Sequence, residues 1–409
     1  MRDKTPNWRR WLDDPGVKLW HDAMEIKSPV TADERVRVLG RYCDAVGTTP
    51  AKLVERSSTP SGVKGVADEL QALTIRMARE GHAPQYIANF VKSVRAWLRH
   101  NDIGMVRKIS IGDAGARPTV ENERLPTRSE VHDVLIAGNP RAKVIVSLCA
   151  FAGVRTEVVG YYRAKDGLRL SDLPDLRVKE GRVRILREPM LVNVRRSLSK
   201  IKTRYHTYLT AEGCAYLRTY LEERIALGEV LGPDSPVVRP DYGRESKGRP
   251  EDMRGSPFLG RQGVSREIRN LFRARDLSMR PYVLRSFWES AMAIAEREGK
   301  ITQLDREFWA GRKGAIDARY TVHKELAPDV VEAMREAYSR ADPYLATATP
   351  ALAPDSDVRL ELAELRAENN AQAARLEEIR SLLDAFTREQ KDALGRFLKH
   401  PGNEMHRTG

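Results

Sequence analysis

Cysteine is scarce in this chain: Cys43, Cys149 and Cys214 are the only three in 409 residues. The count is odd and the spacings fit no metal site, so reduced thiols in a cytosolic protein are expected. Long hydrophobic runs are missing too. The longest, Val144 to Val154, is interrupted by Ser147 and is too short to span a bilayer, so no membrane association is expected. Met1 to Trp11 is charged and lacks an apolar centre, which does not suit a signal peptide. There is no internal repeat, no strong low-complexity tract, and no acidic or His/Cys cluster of the kind that holds a metal ion.

What the chain has in excess is positive charge. Lys and Arg number 70 against 57 Asp and Glu, a net charge of +13. That surplus favours a polyanionic partner, nucleic acid first. A basic protein with no specific nucleic-acid partner is the other reading of the same number.

Hydrophobic periodicity divides the chain. Residues 1–103 read as helical. Thr31-Ala32-Asp33-Glu34 reads as a capping box ahead of Val36, Leu39 and Tyr42. Leu70, Leu73, Ile75 and Met77 mark a helix ending near Gly81. Pro84 opens another, with Ile87, Phe90, Val91, Val94 and Leu98 on one side and Lys92, Arg95 and Arg99 on the other. That basic stripe could follow phosphates along a DNA groove, or be an ordinary solvated face. Residues 104–126 are rich in Gly and Pro and read as a linker. Thr127-Arg128-Ser129-Glu130 is a second capping box and opens a domain running to 345.

In that domain a buried helix near 140–152 leads into Arg155. Residues 176–209 read as strands and turns of one small antiparallel sheet. Helices are expected over 210–227, 264–275, 282–298 and 329–340, with a long loop over 228–262. Residues 346–356 read as a second linker. Val358, Leu362, Leu365, Asn369, Gln372, Leu376, Ile379, Leu383 and Phe386 then step by four and three, which predicts a coiled coil over 357–398 before a tail of 399–409. The expected class is therefore mostly α with a small antiparallel β-sheet (α+β).

Five residues stand out as an ordered set: Arg155 after Ala152-Gly153-Val154, Lys200 on a basic hairpin, Arg285 at the end of Arg280-Pro281-Tyr282-Val283-Leu284, then Arg312 and Tyr320 in Gly311 to Thr321. That order suits a tyrosine hydroxyl attacking a phosphodiester. Arginine forks stay charged and hold phosphate oxygens bidentately, an ammonium can protonate a leaving oxygen, and a tyrosine can store the bond covalently. Taken singly, each has an ordinary reading as a surface or ion-paired residue, and Asp172 reads as structural.

These stretches, with Asp166-Gly167-Leu168-Arg169-Leu170, Asp172-Leu173-Pro174 and Leu198-Ser199-Lys200, resemble the tyrosine recombinase (phage integrase) superfamily, and among its members the archaeal site-specific integrases. The resemblance covers roughly residues 127–345. The N-terminal helices match the family's DNA-clamping core-binding domain in position and pattern only. It implies a metal-free, cofactor-free site-specific recombinase that cuts and rejoins double-stranded DNA through a 3′-phosphotyrosine. It implies Arg155 and Arg285 as the paired arginines, Lys200 as the hairpin lysine with Lys202 as the fallback, and Tyr320 as the nucleophile. Tyr282 stands where the family commonly has His or Lys, and Arg312 where it commonly has His or Trp. A homo-oligomer is expected, a dimer pairing on two sites as a tetramer. The other readings are a catalytically inactive DNA-binding protein on the same fold and a type IB topoisomerase.

Overall fold

The computed structural model describes residues 8–112, 124–241, 255–314 and 326–347, together with Gln372 and Arg375. Residues 1–347 form one compact unit and 348–409 another. The heptad stretch lies outside the described residues apart from Gln372 and Arg375, which are helical.

The first five helices are α1 (Pro15–Glu25), α2 (Pro29–Val46), α3 (Pro50–Arg56), α4 (Pro60–Arg79) and α5 (Pro84–His100). Each opens on proline, whose fixed φ suits the first turn and whose missing N–H is not needed there. Asp14, Ser28, Thr49 and Thr59 cap the first four by accepting a backbone N–H. The expected cap at Thr31 is thus displaced to Ser28. The Ser28-Pro29 pair starts the helix a turn early, and the Thr31 hydroxyl donates back to Ser28 Oγ at 3.0 Å. Val36, Leu39, Leu70, Ile87, Val94 and Trp97 build one core, with Trp20 stacked on Trp97 at 5.3 Å. Ile75 is exposed. The segment after α5 returns to this core: Ile109 is buried, and the Ser110 carbonyl accepts from Gln71 and Thr74.

A second core lies between Val131 and Leu345. Here α6 (Arg128–Ala137) starts with the expected Thr127/Glu130 capping box. The helix α7 (Pro140–Phe151) is buried along nearly its whole length, which is why its sequence shows no polar face. Beyond the short α8 (Thr156–Val159), strands β1 (Leu176–Lys179) and β2 (Arg182–Ile185) pair antiparallel around Glu180-Gly181, both with positive φ. Strands β3 (Met190–Val194) and β4 (Tyr205–Leu209) pair with Val194 opposite Tyr205. The expected single sheet is therefore two separate hairpins. Between β2 and β3 lies Pro189, which has no N–H to continue a ladder.

The remaining helices are α9 (Ala211–Ala226), α10 (Arg261–Arg273), α11 (Val283–Arg297), α12 (Gln303–Trp309) and α13 (Pro328–Leu345). The sequence reading does not include α12. Its signal is a capping box, Thr302 with Asp305, on a helix too short to show a period. Helix α13 runs past the expected end at Arg340, through Pro343. Among the described residues no helix is long and apolar enough to cross a membrane. The three cysteines are buried and unpaired.

The two cores meet at a buried carboxylate. Asp33 on α2 accepts from His21 Nε2 at 2.8 Å, from the Tyr162 hydroxyl at 2.6 Å and from Arg163 Nε at 3.1 Å, while Arg163 also holds Glu25 at 3.1 Å. Burial alone would raise the Asp33 pKa; the hydrogen bonds from Arg163, His21 and Tyr162 outweigh it and hold the group below its ordinary value. A carboxylate with a depressed folded pKa stabilises fully above its unfolded value and loses that contribution as pH falls through the folded one. Amide exchange in α1 and α2, taken relative to the intrinsic rate at each pH, should therefore be slow at pH 6 and accelerate below about pH 4, where an unfolded Asp takes its proton. Exchange that is flat across this range would show that the seam does not depend on the Asp33 charge.

Gly153, between α7 and α8, has φ +62°, and a Cβ there would lie 2.4 Å from the Trp288 ring. Both the left-handed backbone and the crowding oppose a side chain. Gly153→Ala should cost on the order of 3 kcal/mol in the urea unfolding of the full chain. An unchanged midpoint would mean the turn can yield.

Candidate active site

The turn that Gly153 permits sets Arg155 at the start of α8. Arg285 sits in the first turn of α11 and is 2% exposed. Its Nη1 donates to the Gly153 carbonyl and its Nη2 to the Ala310 carbonyl at 2.7 Å. One buried guanidinium thus joins the turn before Arg155, the start of α11, and the turn after α12. Neutral carbonyls solvate the charge without cancelling it, so the field reaches Arg155. Burial first, and the Arg285 charge second, lower the pKa of Arg155. An arginine keeps its proton even so. The two forks therefore form a concentrated positive site.

Arg312 follows Gly311, whose φ is +61° and whose missing Cβ leaves room for the Tyr205 ring, at 2.6 Å from where a Cβ would stand. Glu289, one turn after Arg285 on α11, bridges two of the cations. Its Oε1 lies 3.3 Å from Arg285 Nη2, and its Oε2 accepts from Arg312 Nη2 at 3.1 Å. Tyr282 caps α11, is 56% exposed, and lies close enough to act on the Arg155 charge.

Arg285 Nε is buried and has no hydrogen-bond acceptor among the described residues. The Tyr205 hydroxyl lies against both arginines: burial raises its pKa, and the charges of Arg285 and Arg155 and their hydrogen bonds to it oppose that rise. Two guanidiniums held this close favour an anion beside them.

The structure thus brings Arg155, Arg285, Arg312 and Tyr282 to one place. Lys200 lies in the β3–β4 connection, is exposed, and makes no side-chain hydrogen bond or ion pair with the described residues; Lys202 is likewise exposed, at φ +58°. The base of that hairpin is fixed. Arg195 donates to both Asp166 and Asp172 and to the Gly167 carbonyl. Asp172, buried, also accepts the Arg169 N–H and caps its short turn. Tyr320 lies outside the described residues. The other late tyrosine, Tyr338, is fully buried, donates to the Phe151 carbonyl and accepts from Trp288 Nε1 at 2.8 Å; burial pushes its pKa up. It is a core residue. On α5, Lys92 and Arg99 are exposed, while Arg95 donates to the Arg107 carbonyl.

Sequence reasoning misses three features. Glu289 and Tyr205 gain their places only through tertiary contact. The third, the polar face of α10, has a visible signal: Arg261, Ser265, Arg269 and Arg273 recur every four residues. With Gln262 and Asn270 they line a groove whose other wall is Thr156 and Glu157, next to Arg155. Arg261 pairs with Glu157 at 2.9 Å.

No family model matches the chain, and no curated protein does. Solved structures that align with it carry the names of recombinases and integrases. An integrase from mycobacterium phage Brujita is 16% identical, covering 82% of this chain and 98% of that one, with a TM-score of 0.34. XerA recombinase is 15% identical, covering 78% and 96%, with a TM-score of 0.32. The Tn1549 transposon integrase, solved in complex with circular intermediate DNA, is 12% identical, covering 78% and 98%, with a TM-score of 0.42. Likenesses at identities and TM-scores this low do not establish an activity.

Proposed function

We propose that this chain is a tyrosine-type site-specific DNA recombinase, of the kind its motifs resemble in archaeal integrases. The observation that carries the reading is the grouping of Arg155, Arg285 and Arg312, the last two bridged by Glu289. Attack on a phosphodiester builds negative charge on the non-bridging oxygens, and fixed guanidiniums stabilise that charge at the moment it develops. With three such groups, the reaction needs no metal and no cofactor. The basic face of α10 and the exposed Lys92 and Arg99 of α5 would bind the backbone of double-stranded DNA on either side.

In this reading the Tyr320 oxygen forms a bond to phosphorus and its proton passes to water. The bond from phosphorus to the 5′-oxygen breaks, and Lys200 on its exposed hairpin protonates that oxygen, with Lys202 as the alternative donor. The 3′-phosphotyrosine keeps the bond for rejoining. Tyr282 would offer a hydrogen bond to phosphate in place of a His or Lys, and Arg312 a charge in place of a His or Trp. Recombination would need a dimer on each site and a tetramer across two. A chain that binds DNA without forming an adduct would be architectural instead, and one that relaxes supercoils without joining two duplexes would be a topoisomerase.

Tyr320→Phe should abolish covalent capture on a nicked duplex of the cognate site while leaving DNA affinity within a few-fold, because affinity comes from many phosphate contacts. An adduct still formed by this variant would move the nucleophile elsewhere.

Lys200→Ala should slow cleavage by about 10²-fold or more, and a 5′-bridging phosphorothiolate should restore it, since a thiolate leaves without a proton. Equal slowing on both substrates would remove Lys200 as the general acid and turn attention to Lys202.

A further inference from the structure

The sequence has an arginine at position 312 where the resembled family commonly has His or Trp, and among the described residues one side chain holds that arginine. Arg312 follows a left-handed glycine and its side chain is 42% exposed. A free arginine in such a place samples many rotamers, and ordering it costs side-chain entropy. Its side-chain partner among the described residues is Glu289, and Glu289 is fixed in turn by Arg285, which the Gly153 and Ala310 carbonyls immobilise. Each carboxylate oxygen faces a different guanidinium. Glu289 therefore transmits the rigidity of the buried arginine to the exposed one. It also places one negative charge among three positive ones, which lets the cluster exist before any anion arrives.

We infer that Glu289 is a positioning residue that holds Arg312 in the phosphate cradle. The inference rests on the recombinase reading.

The test separates positioning from charge. Glu289→Gln removes a negative charge from a surface that meets phosphates, so DNA affinity should stay level or tighten by a few-fold. Cleavage should nevertheless slow by about 10- to 100-fold, as is usual when a group that orients a functional side chain is lost. Glu289→Asp keeps the charge but is one methylene shorter and cannot span both guanidiniums. It should bind DNA as wild type does and cleave slowly. If Glu289 acts through Arg312, the double variant Glu289→Gln/Arg312→Gln should be no slower than Arg312→Gln alone. Adduct formation on the nicked duplex and fluorescence anisotropy on the same duplex supply the two readouts. Cleavage by Glu289→Gln at or above the wild-type rate would overturn the inference, as would additive losses in the double variant. A wild-type chain that forms no adduct removes the recombinase reading and this inference with it. A wild-type adduct that Glu289→Gln forms just as fast removes this inference alone.

Discussion

A guanidinium with 2% exposure has to be solvated by the protein itself, and the way Arg285 is solvated organises the site. Two backbone carbonyls, from the turn after α7 and the turn after α12, accept hydrogen bonds from it. Both turns are strained positions that only glycine occupies comfortably: Gly153 against Trp288, and Gly311 against Tyr205. The charge thus fixes the two turns, and the two turns carry Arg155 and Arg312. Carbonyls are dipoles and not countercharges, and the Glu289 carboxylate is shared between Arg285 and Arg312, so the three arginines keep a positive excess.

Much of the helical frame is legible in the sequence, and the reasons are local. Pro84 starts α5, the apolar stripe of Ile87, Phe90, Val91, Val94 and Leu98 packs inward, and the Thr127/Glu130 box starts α6. The failures are also physical. Thr31 satisfies the capping pattern, but Ser28 before Pro29 satisfies it better. The strands of 176–209 are each recognisable, yet whether they form one sheet or two is decided by which edges meet, and that is not a property of any one strand. Helix α12 is too short for periodicity to reveal.

The site is legible in a different measure. Arg155 and Arg285 could be singled out because distinctive residues precede them, and the fold does bring them together. Glu289 could not. It follows Trp288 as one more charged position in an amphipathic helix, and nothing in the order of residues says that its two oxygens will meet cations 4 and 23 positions away. Tyr205 looks like a strand residue of alternating burial, but all of β4 is buried, so alternation carries no information there. Lys200 is the reverse case. Its motif is plain, and the exposed hairpin that bears it gives its side chain no fixed partner among the described residues.

The seam at Asp33 has an implication for how this chain could vary. His21, Asp33, Tyr162, Arg163 and Glu25 come from three stretches of sequence and satisfy one another in a space with little water. Losing Asp33 would leave the buried His21 and Arg163 without their shared acceptor, and losing Arg163 would leave the Asp33 charge short of its main donor. Substitutions there would be strongly non-additive, harmful alone and tolerable as a group. Those five positions are far apart along the chain but physically coupled, so exchanging the N-terminal helices for those of another such protein should succeed only where the whole group travels or matches.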